Sequence, residues 1–326
     1  MDKNKTFLIV DLSNLFFRAR YITGSDQWTK IGLALHIIFN SIKQASKKFN
    51  ADHVVFATEG HSWRKSFDDN YKRNRAVAKE KLTESQREED ELFFAAFNDF
   101  TKFVTEKTNA TVLHHQELEA DDMIAAWIQL HPEDNHVVIS GDTDFHQLLA
   151  PNVTLYDGVN KRTYTLAGVT DEKGKEVIDK KSKKPLVINP EYSLFKKIVR
   201  GDTSDNVFSA YPGVRETKIL EAFQDREKKG YAWNNFFMSR WVDHDGNEIK
   251  VKDRFEHNKV LIDLTAQPEV IREYMEQAIV AVYQENKNVK NIGFSLLKFC
   301  GQYELNSLAE NSKEIVEILS KRILSE

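Results

Sequence analysis

A single cysteine, Cys300, stands in the 326 residues. That excludes an internal disulfide and points to a reducing compartment. Six prolines are spread along the chain, and no proline-rich linker or low-complexity tract divides it. Long hydrophobic runs are also missing. The opening apolar run, Thr6–Leu12, is far too short to span a bilayer, and the polar residues before it carry no signal-peptide pattern. The expected location is the cytoplasm, without a membrane partner. No glycine-rich phosphate loop and no Ser-His-Asp order are visible. His114, His115, His131, His136 and His146 have no cysteine at ligand spacing, which argues against a zinc site. Net positive charge is lacking too, since the sum is −4. A total hides its distribution, however, and a local basic patch is what binds phosphate.

What is present is 41% hydrophobic and 29% charged residues, ordinary for a soluble globular chain long enough for one large domain or two moderate ones. Thr6–Leu12 (TFLIVDL) is a nearly continuous apolar run, as expected of a central parallel strand covered on both faces. A helical pattern over Ile31–Phe49 and a second apolar run, His53–Thr58, complete a βαβ unit. Ala110–Leu113, His136–Ser140 and Val153–Tyr156 read as further strands, with a helix from Glu119 to Leu130. The polar, lysine-rich stretch Lys161–Lys184 reads as a surface hairpin or loop insertion, and Pro190–Gly201 as a helix. Beyond it the pattern is mostly helical to the end, with a polar interruption at Asp243–Lys252. The expected fold class is α/β: a central, mostly parallel sheet flanked by helices, followed by a mostly helical C-terminal part.

The chemistry concentrates in carboxylates. Asp11, Glu59, Glu119 and Asp142 fall just past strand ends or in the loops that follow, which is where open α/β sheets bind ligands. Asp121, Asp122 and Asp144 lie beside them, and the turn at Gly201–Asn206 adds Asp202 and Asp205. Any one of these alone reads as a helix cap or turn former. Gathered at one sheet edge they repel one another by roughly 4 kcal/mol per close pair, so they need a cation. An oxygen-only ligand set suits Mg²⁺ or Mn²⁺. Two such ions about 4 Å apart hold an attacking water and neutralise a phosphate, so the pattern reads as a phosphodiesterase. The basic stretch containing Trp63, Arg64, Tyr71, Lys72, Arg73 and Arg75 reads either as a solvated helix face or as a phosphate clamp with an aromatic for base stacking.

At this point the sequence resembles the 5′ nuclease family, which includes flap endonucleases and the 5′→3′ exonuclease domains of DNA polymerases. The matching segments are VDLSNLFFRA (Val10–Ala19), WRKSFDDNYKRNR (Trp63–Arg75), ELEADDMIA (Glu117–Ala125), ISGDTDFHQLL (Ile139–Leu149) and RGDTSDN (Arg200–Asn206). FEHNKVLIDLTAQPEVI (Phe255–Ile271) looks most like the bacteriophage ribonuclease H branch. The resemblance implies a PIN-like catalytic domain over 1–187, with an arch at about 62–108 through which a 5′ strand threads. It also implies a duplex-gripping, helix–hairpin–helix-like part over 188–326. Carried over residue by residue, Asp11, Glu119, Asp121, Asp142 and Asp144 surround two Mg²⁺ or Mn²⁺ ions, and Asp122, Asp202 and Asp205 complete the inner or outer shells. Lys72 and Arg75 hold the scissile phosphate, Tyr71 stacks, and Arg18, Arg64 and Arg73 contact nucleic acid.

Two positions depart from the family. Ala57 stands where an aspartate usually follows the second strand, and Glu59, two residues on, is expected to reach back in its place. Arg215 replaces a glycine of the potassium-binding hairpin, which puts that ion in doubt, and Arg215 and Lys218 are expected to meet phosphate directly. The implied activity is metal-dependent cleavage at 5′ ends and flaps of RNA–DNA and DNA duplexes, with primer removal in phage replication, and hence location in the host cytoplasm. A single-stranded-DNA-binding protein is the implied partner, and nothing demands more than a monomer. The rivals are a catalytically silent nucleic-acid-binding scaffold and a haloacid-dehalogenase-type phosphatase suggested by Asp142-Thr143-Asp144. That phosphatase class carries its Asp-x-Asp after the first strand rather than the fourth.

Overall fold

The computed structural model describes residues 4–21, 26–243 and 245–324. Within them, β1 (Thr6–Asp11), β2 (His53–Ala57), β3 (Thr111–Leu113), β4 (Asn135–Ile139) and β5 (Val153–Asp157) run parallel. They lie in the order β3-β2-β1-β4-β5. The order reverses between β1 and β4, the switch point at which doubly wound sheets open a crevice at their carboxyl ends. Register aligns those ends: Asp11 pairs with Ala57, and Val10 with Ile139. The expected hairpin insertion is an extension of the sheet, with β6 (Arg162–Thr165) and β7 (Gly168–Thr170) added antiparallel beyond β5.

Side-chain alternation splits the core in two. Leu8, Val10, Val54 and Phe56 face one cluster, while Phe7, Ile9, Val55 and Ala57 face the other, as a period of two dictates. The first face is covered by α1 (Leu12–Arg18), α2 (Gln27–Phe49) and the C-terminal half of α5 (Glu84–Lys107). Two short helices precede α5: α3 (Arg64–Phe67) and α4 (Arg73–Glu80). From 73 to 92 no residue is buried, so α4 and the start of α5 project as the helical arch. A capping box at Thr83 and Gln86 starts α5, and burial begins at Phe93. The second face is covered by α6 (Ala120–Leu130).

The C-terminal part does not stand apart as one helical unit over 188–326. Only α7 (Pro190–Arg200), α8 (Glu216–Gln224), α9 (Tyr231–Met238) and α10 (Val251–Ile262) build their own core, around Phe195, Phe236 and Phe255. A small hairpin, β8 (Arg240–Val242) and β9 (Glu248–Lys250), occupies the expected polar interruption. The chain then returns to the sheet. α11 (Glu269–Glu285) packs beside α6, while α12 (Ile292–Gln302), α13 (Asn306–Glu310) and α14 (Ser312–Ser320) close the other face against α2 and α5. The reason is apolar: Leu296, Phe299, Ile315 and Leu319 need cover, and the open α2–α5 face supplies it. Among the described residues no helix is long and apolar enough to cross a membrane.

Candidate active site

Each carboxylate is placed by a local rule. β1 ends in Asp11, whose side chain caps α1 by accepting from the Asn14 amide at 3.2 Å. Across the switch point the Ser140 hydroxyl donates to Asp11 at 2.8 Å. Burial, only partly offset by that bond, lifts the Asp11 carboxyl to about 7. Glu119 caps α6, with Asp122 three residues on completing the capping box. The Glu59 carboxylate accepts from the Ala120 amide at 3.2 Å, at the same helix N-terminus. Asp142 caps the short 3₁₀ helix Thr143–Leu148 that carries Asp144. Asp202 and Asp205 sit in a turn closed by reciprocal Asp202–Val207 amide bonds of 2.8 and 2.7 Å.

These segments converge. A cleft of about 260 Å³ is lined by Asp121, Asp144, Asp202, Asp205 and Tyr71. Ligand oxygens of Glu119, Asp121 and Asp122 lie within 4.8 Å of one another. Loss of solvent and the neighbouring Glu119 push the Asp121 carboxyl well above its usual range. The cluster is therefore short of positive charge, and two lysines lean into it. Lys72 pairs with Glu119, and Lys197 on α7 pairs with Asp144 and, at 2.8 Å, with Asp202. Burial alone would raise Glu119 and Asp202, but Lys72 and Arg64 hold the first at about 2 and Lys197 holds the second at about 2. An all-oxygen set with residual negative charge fits a hard divalent cation.

Lys197 was not signalled by any motif. It lies on a helix whose other turns bury Phe195, Ile198 and Val199, and a lysine on the edge of an apolar face five residues before Asp202 is the available clue.

Not every expected contact is where the sequence suggested. Arg64 is fully buried and cannot meet a phosphate. Its guanidinium donates to Glu119 Oε2, to both Asp122 oxygens at 2.8 Å each, and to the Leu261 carbonyl at 2.9 Å. The basic stretch turns inward at this one residue because Glu119 and Asp122 are buried and need a counter-charge. Asp122, likewise fully buried, also accepts from the Trp63 indole at 3.1 Å. Tyr71, expected to stack on a base, is buried, with its hydroxyl 3.0 Å from Glu119 and 3.1 Å from Asp205. Arg73 and Arg75 stand exposed at the start of the arch, and Arg75 pairs with Asp205. Arg18 lies over the end of β4, where a side chain at Gly141 would come within 2.1 Å of its guanidinium, and pairs with Asp157 at 3.7 Å. Arg215 caps α8 from an exposed position, and Lys218 donates to the Tyr211 hydroxyl at 2.8 Å. Both lie in the α7–α10 unit.

Comparison with known proteins identifies the family. Residues 6–174 match the 5′-3′ exonuclease N-terminal resolvase-like domain. Ribonuclease H of Enterobacteria phage T4 is 25% identical over 289 residues, covering 83% of this chain and 85% of that protein. Flap endonuclease Xni of Aeromonas hydrophila is 30% identical over 175 residues, covering 51% of this chain and 61% of Xni. In structure the chain is similar to the T5 D15 protein co-crystallized with metal ions, with a TM-score of 0.57 at 21% identity over 92% of this chain and 99% of that one. It is also similar to the bacteriophage T5 D15 flap endonuclease in complex with DNA and metal ions, with a TM-score of 0.59 at 20% identity over 86% and 100% of the two chains.

Proposed function

This chain belongs to the 5′-3′ exonuclease family, and from that premise we propose that it is a divalent-metal-dependent nuclease hydrolysing phosphodiesters at 5′ ends and flaps. The observation that carries the reading is the cleft lined by Asp121, Asp144, Asp202 and Asp205, drawn from α6, the β4 loop and the α7 turn. Glu119 and Asp121 on one side, and Asp144 with Asp202 and Asp205 on the other, are the residues that would hold Mg²⁺ or Mn²⁺, with Asp11, Glu59 and Asp142 completing the ring. When bound, such ions supply an activated water and neutralise the scissile phosphate.

The chain's own residues do the rest. Arg64 and Asp122, fully buried, fix Glu119 from behind. Lys72 and Lys197 neutralise the carboxylates of the cleft, and Lys72 with Arg75 would hold the phosphate at the base of the arch. The exposed arch over 73–92 would admit a 5′ single strand, while Arg215 and Lys218 in the α7–α10 unit would meet duplex backbone. No acid-base histidine is required. The family's potassium ion is not part of the proposal, because Arg215 fills a hairpin position that the family gives to glycine. Substrates are proposed as DNA and RNA–DNA duplexes, with primer removal in phage replication as the context; a single-stranded-DNA-binding partner follows from the same resemblance, and a monomer is proposed because nothing in the chain demands more.

The test is cleavage of a 5′-labelled flap and a 5′-recessed RNA–DNA duplex, with Mg²⁺ and with excess chelator. Short 5′ products formed only with metal support the proposal. Cleavage that persists in chelator refutes the metal, and salt-sensitive binding without cleavage under any divalent ion favours the scaffold. A phosphatase of the haloacid dehalogenase type is disfavoured because Asp142-x-Asp144 follows β4, not β1.

A further inference from the structure

Two asparagines, Asn74 and Asn206, stand at the foot of the arch. Asn74, the second residue of α4, donates its amide to the carbonyls of Thr203 and Ser204 at 3.1 and 3.2 Å. Asn206 donates in the opposite direction, to the Asn70 carbonyl at 2.8 Å. Between them the Lys72 amide donates to the Asp205 carbonyl at 2.8 Å. The two strands of chain are thus stitched by side-chain amides reaching across in both directions, with a backbone bond in the middle. Each partner holds an unusual conformation at this contact. Lys72 has φ +54° and Asn206 has φ +60°, the left-handed region that costs an L-residue about 1 kcal/mol or more unless its surroundings fix it. Asparagine tolerates that region best among residues with a side chain, but lysine has no such preference, so Lys72 is held there by its partners.

We propose that Asn74 and Asn206 form a latch that positions Lys72 and Arg75 for the reaction, by locking the arch base onto the acidic turn at Asp202–Val207. Both basic side chains leave the backbone within this stitched stretch, and both reach the carboxylates across it: Lys72 to Glu119, Arg75 to Asp205. The latch also fixes the turn itself, since Asn74 binds the two carbonyls that precede Asp205. Arch and acidic turn therefore move as one, and both side-chain amides are spent on backbone carbonyls. These are positioning residues. The exposed arch has no apolar core from 73 to 92; these amide bonds hold its near end, while the Arg20–Asp90 ion pair and the Gln27–Glu89 bond hold the far end where α5 begins.

The inference rests on the proposed nuclease reading for its kinetic arm, and it has a second arm that does not. Asn74→Ala removes the exposed amide, and Asn206→Gly removes the other while keeping the left-handed backbone. Single-turnover cleavage of a 5′ flap is expected to slow 10- to 100-fold in each, the scale of a misplacement near 1 Å, with flap binding in Ca²⁺ changed less than threefold. In a Lys72→Ala/Arg75→Ala background, adding Asn74→Ala is expected to cost nothing further, because the asparagine acts only through those two side chains. An unchanged rate in the single variants, or the same loss in both backgrounds, overturns the latch. Hydrogen exchange at the amides of 72–75 is the independent arm: it is expected to quicken at least tenfold in both variants while the sheet amides keep their protection. If the native chain cleaves nothing with any divalent ion, the nuclease reading falls, and this exchange measurement alone decides whether the latch exists; unchanged exchange refutes it.

Discussion

Replacing Arg64 with methionine tests whether the acidic cluster is held from inside. Methionine is close in volume and keeps the packing against Trp63, over whose ring the guanidinium sits at 4.7 Å. What it removes is the charge, along with the bonds to Glu119, Asp122 and the Leu261 carbonyl. Both carboxylates are nearly inaccessible, at 3% and 0% of side-chain surface. Stranding a buried charge by deleting one partner costs about 3–5 kcal/mol. In a domain of this size each kcal/mol lowers the melting temperature by roughly 2 °C, so a drop of about 6–10 °C is expected. The pH dependence carries the sharper test. Without Arg64 one of the two charges that hold Glu119 ionised is gone, and burial should let its carboxyl bind a proton more readily than in the native chain. The stability lost by the variant should therefore be largest at neutral pH and shrink as pH falls toward 5. Urea unfolding of both proteins from pH 5 to 8, in chelator, measures it. Arg64→Lys keeps the charge but not the planar fork and should fall between the two. A loss below 1 kcal/mol, or one independent of pH, would refute the buried counter-ion.

Three further outcomes follow from other places in the fold. Asp142→Ala should lower flap cleavage at least 100-fold and leave duplex binding in chelator intact; loss of binding and of stability together would place Asp142 in the scaffold instead. His53 is buried at β2, its Nδ1–H donating to the Lys321 carbonyl at 3.0 Å and its Nε2 accepting from Thr111 at 2.9 Å. Burial holds it neutral, down from 6.5 to about 4. The unfolded chain then binds the extra proton first, so stability is complete above pH 6.5 and is lost as pH falls toward 4, by roughly 3 kcal/mol in all; a His53→Gln variant with the same pH slope would contradict this. Gly60→Ala would bring a methyl within 2.1 Å of the His115 carbonyl and 2.8 Å of the Leu118 carbonyl. Backbone must move, which should cost about 1–3 kcal/mol and displace Glu59, readable by calorimetry as weaker Mn²⁺ binding; unchanged stability and affinity would show that the loop yields freely.

How far the sequence alone reaches depends on the range of the interaction being read. β1, β2 and β4 were legible because a strand buried on both faces is a continuous apolar run, and the end of β1 because the charge of Asp11 stops that run. The capping box at Glu119–Asp122 and the Asp142 cap are likewise local, fixed within three residues. The strand order, by contrast, is set by contacts between distant segments, and so is the Ser140–Asp11 bond that closes the switch point. The same limit explains Arg64. Its neighbours Lys65, Lys72, Arg73 and Arg75 are basic, and a local reading averages it with them; only the burial of Glu119 and Asp122, 55 and 58 residues away, separates it. It also explains the boundary expected at 187/188. The helical periodicity of α12–α14 is plain in the sequence, but nothing local says which apolar face they cover, and they cover α2 and α5, formed far earlier in the chain. The arch makes the complementary case. The family resemblance, not charge or spacing, singled it out, and its attachment depends on Asn74 and Asn206, two polar residues whose significance exists only once 70–75 and 202–206 are side by side. A functional site assembled from strand ends is therefore readable residue by residue, while the network that aims those residues is written in pairs, and pairs need the fold.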